Sequence, residues 1–325
     1  MATPANTKTI TEGPISRTII SLAAPVVMAQ FFEFALASTD YFWVGKLGAN
    51  AQDAITTSMV TIWTLFSAIG IVSVGITAVV SRNMGAQNPE RAAFYSRQGL
   101  AMGVIMASVI TVAAMFLSPA AMRFMDTEPE TLTLAVPYMR TVYAFSVCFF
   151  LMDISYAIFR AVGDTRTPMM IGIGMVLLNM GLDPLLIFGW GPVPAMGVTG
   201  AAVATGISVT GAAVTALLLL AKGKAGFQIT PLFRIRPVVS EMVKIGRIGL
   251  PLASHWFVFV VVYWFLIKIV HQFGTTAGAA MGIGNRMESF SYLICAGFSV
   301  AAGTMVGQNL GAGKPDRAAR CAWGA

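Results

Sequence analysis

The sequence predicts an all-α integral membrane protein, a parallel internal repeat of six-helix lobes that here yields eight transmembrane helices with an incomplete second lobe. Three observations carry this. Of the 325 residues, 56% are hydrophobic and only 11% charged, whereas soluble domains average about 25% charged residues. The apolar residues fall in runs long enough to cross a hydrocarbon layer of about 30 Å as helices. The early part of the chain also recurs, without gaps, at a constant offset of 226 residues, as from Pro25 to Pro251.

Apolar runs between charged or Gly/Pro-rich breaks place the helices at 16–46, 53–82, 93–119, 130–160, 167–189, 196–221, 240–271 and 278–309. The first has only Glu33 and Asp40 as charges between Arg17 and Lys46, and Pro25 marks it as a hinge, since its ring removes a backbone donor and crowds the preceding turn. The gaps alternate in charge. One set holds sixteen basic residues: Lys8, Arg17, Arg82, Arg91, Arg97, Arg160, Arg166, six from Lys222 to Arg247, and Lys314, Arg317 and Arg320. The other holds Lys46 and Arg123 and includes the acidic stretch of Asp126, Glu128 and Glu130. The positive-inside rule makes the first set cytoplasmic and places the N-terminus inside. The polar segment from Met1 to Arg17 lacks a signal-peptide pattern, so the first helix serves as its own uncleaved signal. A multi-pass protein of the plasma (inner) membrane, acting as a monomer, is expected.

The repeat pairs Pro25 with Pro251, Gly48 with Gly274, Ser73 with Ser299, Asn83 with Asn309, Gly85 with Gly311, Pro89 with Pro315 and Arg91 with Arg317. Six helices per unit is an even number, so both units begin on the same side, a parallel repeat about an axis along the membrane normal. The expected organisation is a cytoplasmic tail at 1–15, a six-helix lobe at 16–221, a cytoplasmic linker at 222–239 and part of a second lobe at 240–325. Ala325 corresponds to Gly99 of the first unit, so the second is expected to lack its third to sixth helices, and a complete repeat would have about 450 residues and twelve helices.

Several classes are excluded. The net charge of +7 is dispersed over short loops and forms no continuous nucleic-acid patch. Cys148, Cys295 and Cys321 are far apart, and His255 and His271 lack ligand spacing, so neither a disulfide framework nor a metal site is expected. Ile171 to Gly174 lacks the strand context of a nucleotide loop, and no nucleophile or cofactor motif appears, so neither an enzyme nor a cofactor is expected.

Charges inside a membrane cost roughly 2.5 to 3.5 kcal/mol each on insertion scales, so they mark function or pairing. The embedded acids are Glu33, Asp40, Asp153, Asp183 and Glu288, with Arg140, Lys268 and Arg286 as basic counterparts. Asp40 and Asp183 come late in outward-running helices. Asn179 is one turn before Asp183, and Pro184 frees a carbonyl beside it. Asp183 is either an embedded carboxyl or a helix-end residue near the surface; Asp40 is either embedded or an interfacial acid beside Lys46. Glu33 either lines a cavity or is tied to a neighbouring hydroxyl. Asp153 either lines a cavity, with Tyr156, or pairs with Arg140 or Arg160. Glu288 and Arg286 read as structural polar links.

Asp183-Pro184, the stretch Gly85-Ala86-Gln87-Asn88-Pro89-Glu90-Arg91-Ala92 and the stretch from Arg160 to Pro168 together resemble the multidrug and toxic compound extrusion (MATE) family, and most closely its DinF-like branch, C-terminally truncated. The resemblance implies a cation-coupled antiporter that exports small organic cations or drugs by alternating access, with H+ or Na+ as coupling ion. It implies a cation site at Asp40, Asp183, Asn179, Tyr138 and Thr205, with Na+ at Asp40 and Asp183 as the metal alternative; Glu33, Asp153 and Tyr156 are the candidate substrate-cavity residues from the reading of the embedded polar groups. The family's other branch has a helix-7 glutamate; helix 7 here is read as offering only His255 and Lys268. A carboxyl removed from water favours its protonated form, whereas a cation beside it favours the ionised form, so proton and drug would compete. An exporter or flippase of an amphipathic lipid or lipid-linked precursor is the alternative.

Overall fold

The computed structural model describes residues 5–124, 129–192, 194–229, 236–271 and 275–325, with side chains left undescribed at a number of positions, mainly between 252 and 291. Its described elements are helices: α1 (Ala5–Glu12), α2 (Ile15–Gly45), α3 (Ala49–Gly85), α4 (Pro89–Phe124), α5 (Pro129–Ala144), α6 (Ser146–Ala161), α7 (Arg166–Phe188), α8 (Val198–Ala221), α9 (Val239–His271), α10 (Thr275–Gly311) and α11 (Pro315–Gly324). Six are long and apolar enough to cross a membrane by themselves, and α5 with α6 makes a seventh, bent span. The seventh helix, expected at 240–271, appears as α9, a 33-residue helix that continues through Pro251.

One expectation needs correction. The span expected at 130–160 is two helices at 50° to one another. No proline causes the break. Phe145 has backbone angles of −89° and 6°, and the Thr111 hydroxyl of α4 donates to the freed Tyr143 carbonyl at 2.9 Å. A side chain inserted into the hydrogen-bond ladder is a recognised cause of a kink. The Phe145 ring lies where a side chain on Gly206 of α8 would stand, so α8 accepts the bend because position 206 has no Cβ. The N-terminal tail, read as polar, contains the short helix α1, whose Ile10 is buried with Ile19, Leu22, Met305 and Cys321.

Helix starts follow local chemistry. Pro89 opens α4, where the Asn88 side chain accepts from the Arg91 amide at 3.0 Å. Pro315 opens α11 at the corresponding place in the second unit. The Asp164 carboxylate accepts from the Thr167 amide at 2.9 Å and from its hydroxyl at 2.6 Å, supplying the amide partner that the first turn of α7 lacks. Just before Pro89, Gln87 has φ of 55°; its counterpart Gly313 has 71°. An L side chain in this region costs roughly 1 to 2 kcal/mol. Gly313→Ala is therefore expected to lower stability by about 1 kcal/mol, read as a lower thermal midpoint in detergent.

The 226-residue offset also governs the packing. A Cβ on Gly85 of α3 would lie 1.9 Å from the Gln308 carbonyl oxygen of α10, and one on Gly311 of α10 would lie 1.9 Å from the Arg82 carbonyl oxygen of α3. Gly85 and Gly311 are counterparts, and so are Arg82 and Gln308, so one contact is made twice about a pseudo-twofold axis. Further along, a Cβ on Gly249 of α9 would meet the Ile71 carbonyl at 1.8 Å and one on Gly297 of α10 the Ala23 carbonyl at 3.0 Å. These are again counterparts. Near the same end, Thr304 donates to the Arg160 carbonyl at 2.9 Å and Gln308 to the Ala161 carbonyl at 2.8 Å. Two buried donors thus tie α10 to the end of α6.

Candidate cation and substrate site

Asp40 and Asp183 stand five residues before the ends of α2 and α7, about 7.5 Å along the helix at 1.5 Å per residue. The two helices pack side by side, which brings the two carboxyl groups to the same amide. Between them lies the Asn179 amide. Turned so that its nitrogen faces the acids, it reaches Asp183 Oδ2 at 3.1 Å and Asp40 Oδ1 at 3.1 Å, while its oxygen accepts from the Thr205 amide at 3.1 Å. That orientation is assigned from the hydrogen-bond network, since the opposite one sets acceptor against acceptor. The Thr205 hydroxyl donates to the Ala201 carbonyl of its own helix at 3.0 Å. Asn179 and Asp183 are fully buried, Tyr138 nearly so, and Tyr138 of α5 lies within electrostatic reach of both acids.

The structure thus brings together all five residues named for the cation site, from α2, α5, α7 and α8. It also separates the readings of Asp40 and Asp183. Lys46 does not pair with Asp40. Its ammonium lies over the Phe42 and Trp43 rings, 4.7 and 4.3 Å from their centroids. Trp43 in turn meets Phe188 edge-on at 6.0 Å, so aromatic rings of α2 and α7 lie between the acids and the nearer end of the bundle. Among the described residues no basic side chain pairs with either acid. One Asp183 oxygen, Oδ1, is buried without a hydrogen bond.

The second group lies two turns further down α2. Asp153 of α6 accepts from the Arg160 guanidinium at 3.5 Å and in a short hydrogen bond from the Ser73 hydroxyl of α3. It therefore pairs with Arg160, as one sequence reading had it, and Arg140 is not its partner. The pair is partly open to solvent. Glu33 of α2 is an electrostatic neighbour of Asp153, Arg160 and Tyr156. No hydrogen bond reaches Glu33 from the described residues, and the residue is exposed. The lack of such a bond goes against the hydroxyl-tethered reading. The Tyr156 hydroxyl is buried without a partner.

Sequence reasoning missed Ser73. Its only signal was being a polar residue in an apolar run, repeated at Ser299. The reading of helix 7 as free of acids is corrected: α9 includes Glu241 in its first turn, where it accepts from Lys244 at 2.7 Å and from Tyr95 at 2.9 Å. This is an end-of-helix arrangement, far along α9 from Pro251. Glu288 accepts from Tyr292 one turn away at 3.2 Å. The side chains of Lys268, His271 and Arg286, and residues Asp126 and Glu128, lie outside the described residues.

A family model described as MatE matches residues 25–185 and again 251–322, two matches whose starts are 226 residues apart. The chain belongs to the MatE family. Its curated relatives include an FAD transporter of Shewanella oneidensis, 28% identical over 94% of this chain and 67% of that protein. Another is the multidrug resistance protein NorM of Vibrio cholerae, 26% identical over 90% of this chain and 64% of that protein. The chain therefore spans about two thirds of the length of these relatives. Among solved structures, one described as the outward-facing conformation of a multidrug resistance MATE family transporter of the MOP superfamily has a TM-score of 0.88 at 21% identity, covering 97% of this chain and 69% of that one. A MOP superfamily transporter from Pyrococcus furiosus, whose description cites a reversed polarity of the binding pocket, gives 0.89 at 21% identity with the same coverage. These likenesses establish a multi-pass MATE-type helical fold.

Proposed function

We propose that this protein, in its complete form, is a cation-coupled antiporter that exports small organic cations by alternating access. The observation that carries the reading is the Asp40–Asp183 pair, two carboxyl groups held around one amide with no cationic partner among the described residues. Two such groups cannot both ionise at this separation without a counter-charge, so a shared proton or a small cation completes the site. A proton satisfies it with the groups present. Na+ would use the same carboxyl oxygens, with Tyr138 and Thr205 at the margin.

Glu33, Asp153 and Tyr156 offer acidic and hydroxyl groups to a cationic substrate, two turns along α2 from the cation pair. Because Glu33 and Asp40 share one helix, loading of the outer pair is felt by the inner group through any movement of α2, for which Pro25 is the hinge. In this reading residues 16–221 and 240–325 are the two lobes, joined by 222–239. The N-terminus is cytoplasmic, and the transporter works as a monomer in the inner membrane. Acids on the first lobe, with only an end-of-helix acid on α9, fit the DinF-like branch.

The FAD transporter among the relatives keeps a larger, anionic or amphipathic cargo as the second reading, although the acidic groups within the bundle favour cations. Ethidium efflux by the full-length protein, with pH and Na+ gradients imposed independently, tests both. Efflux driven by either gradient is expected. No efflux under both gradients, with transport of an amphipathic anion instead, would refute the cation reading.

A further inference from the structure

A cavity of about 920 Å³ opens where α3, α4, α9 and α10 meet, at the end of the bundle that carries the N-terminus. Four basic side chains line it: Arg82, Arg91, Lys244 and Arg247. No acid does. Lys244 pairs with Glu241 at the rim, while Arg82, Arg91 and Arg247 have no ion pair among the described residues. The lining also has an apolar wall, from Val79, Ile248, Val306 and Leu310. Ile248 and Leu310 are 45% and 46% exposed, and Leu250 beyond them 55%, so this wall continues onto the outer surface of the helices. An apolar surface that runs into a cluster of unpaired guanidinium groups near helix ends matches an amphipath whose head is an anion.

We propose that this cavity binds the headgroup of an anionic phospholipid, with its phosphate among the four basic groups and its acyl chains along Ile248, Val306 and Leu310. Soluble phosphates share the headgroup chemistry but would leave the apolar wall uncovered. The cavity is lined by both copies of the repeat, α3 and α4 from the first and α9 and α10 from the second. Its floor is the contact in which Gly307 meets the Ser81 side chain and Gly311 the Arg82 carbonyl. A lipid bound there therefore favours the arrangement in which this end of the bundle is closed. That consequence rests on the alternating-access reading; the binding itself does not.

The test uses the purified protein in nanodiscs of phosphatidylcholine with a minor fraction of phosphatidylglycerol, and native mass spectrometry to count retained phosphatidylglycerol. Each basic group near an anionic headgroup contributes about fivefold in affinity. Arg82→Gln, Arg91→Gln, Lys244→Gln and Arg247→Gln combined are expected to reduce retention at least about tenfold. A control lacking four other basic groups at the same end (Arg166→Gln, Lys222→Gln, Lys224→Gln, Arg320→Gln) is expected to retain lipid as the wild type does. Equal retention by the two variants would overturn the proposal. So would competition by sn-glycerol 3-phosphate as effective as that by phosphatidylglycerol, which would assign the cavity to a soluble phosphate. Should the quadruple variant not fold, Leu310→Trp decides: it fills the apolar wall at an exposed position, keeps every charge, and must also lower retention. Lost retention with intact ethidium efflux, or the reverse, separates this proposal from the transport reading.

Discussion

Cells expressing Asp183→Asn are expected to accumulate ethidium as cells without the transporter do, with proton-driven efflux at least about tenfold below wild type, the equivalent of 1.4 kcal/mol of lost coupling. Asparagine keeps the shape of the side chain and removes its ability to ionise. The group sits fully buried beside Asn179 and Asp40, so the substitution holds the pair in a permanently neutral half. Asp40→Asn is expected to do the same from α2. Binding and transport then separate: the variants are expected still to bind dye at the acidic groups Glu33 and Asp153, while the gradient no longer releases it. Wild-type rates from either variant under a proton gradient would show that the pair does not couple transport.

Gly85→Leu is expected to leave a folded protein that does not transport. A Cβ at position 85 would lie 1.9 Å from the Gln308 carbonyl, and backbone cannot give way as a flexible side chain can. The α3–α10 contact must open by roughly 1.5 Å to relieve the clash, and overpacking of this kind costs about 1 to 3 kcal/mol or more. A penalty of 3 kcal/mol against one state is a factor of about 150 in its population. A cysteine placed at Thr304, fully buried here, reports it. With Cys148, Cys295 and Cys321 replaced by serine, maleimide labelling of Thr304→Cys is expected to rise at least about tenfold when Gly85→Leu is added. Unchanged labelling with normal transport would mean that this contact is not part of a moving interface. Gly311→Leu tests the counterpart contact and is expected to give the same result.

The helices were legible because a bilayer leaves few solutions: with no water to satisfy backbone groups, an apolar run of this length is a helix. The break at Phe145 was not legible. It depends on the Thr111 hydroxyl and on the missing side chain at Gly206, which come from two other helices. The candidate cation site shows the same division. Asp40, Asn179 and Asp183 could be singled out one by one as costly residues in apolar surroundings, whereas the distances of 3.1 Å that join them exist only through the packing of α2 against α7.

By itself the sequence determined the membrane class, the alternation of basic and acidic loops, and the 226-residue repeat, because these follow from composition and order along one chain. Only the tertiary structure decided which partner each charge has. Asp153 took Arg160 and Ser73, Lys46 turned to two aromatic rings, and Asp40 came to share the Asn179 amide with Asp183. The physical reason is range. Hydrophobic transfer acts on each segment separately and can be read in place, whereas a hydrogen bond or an ion pair acts over about 3 to 4 Å between segments that the sequence keeps far apart.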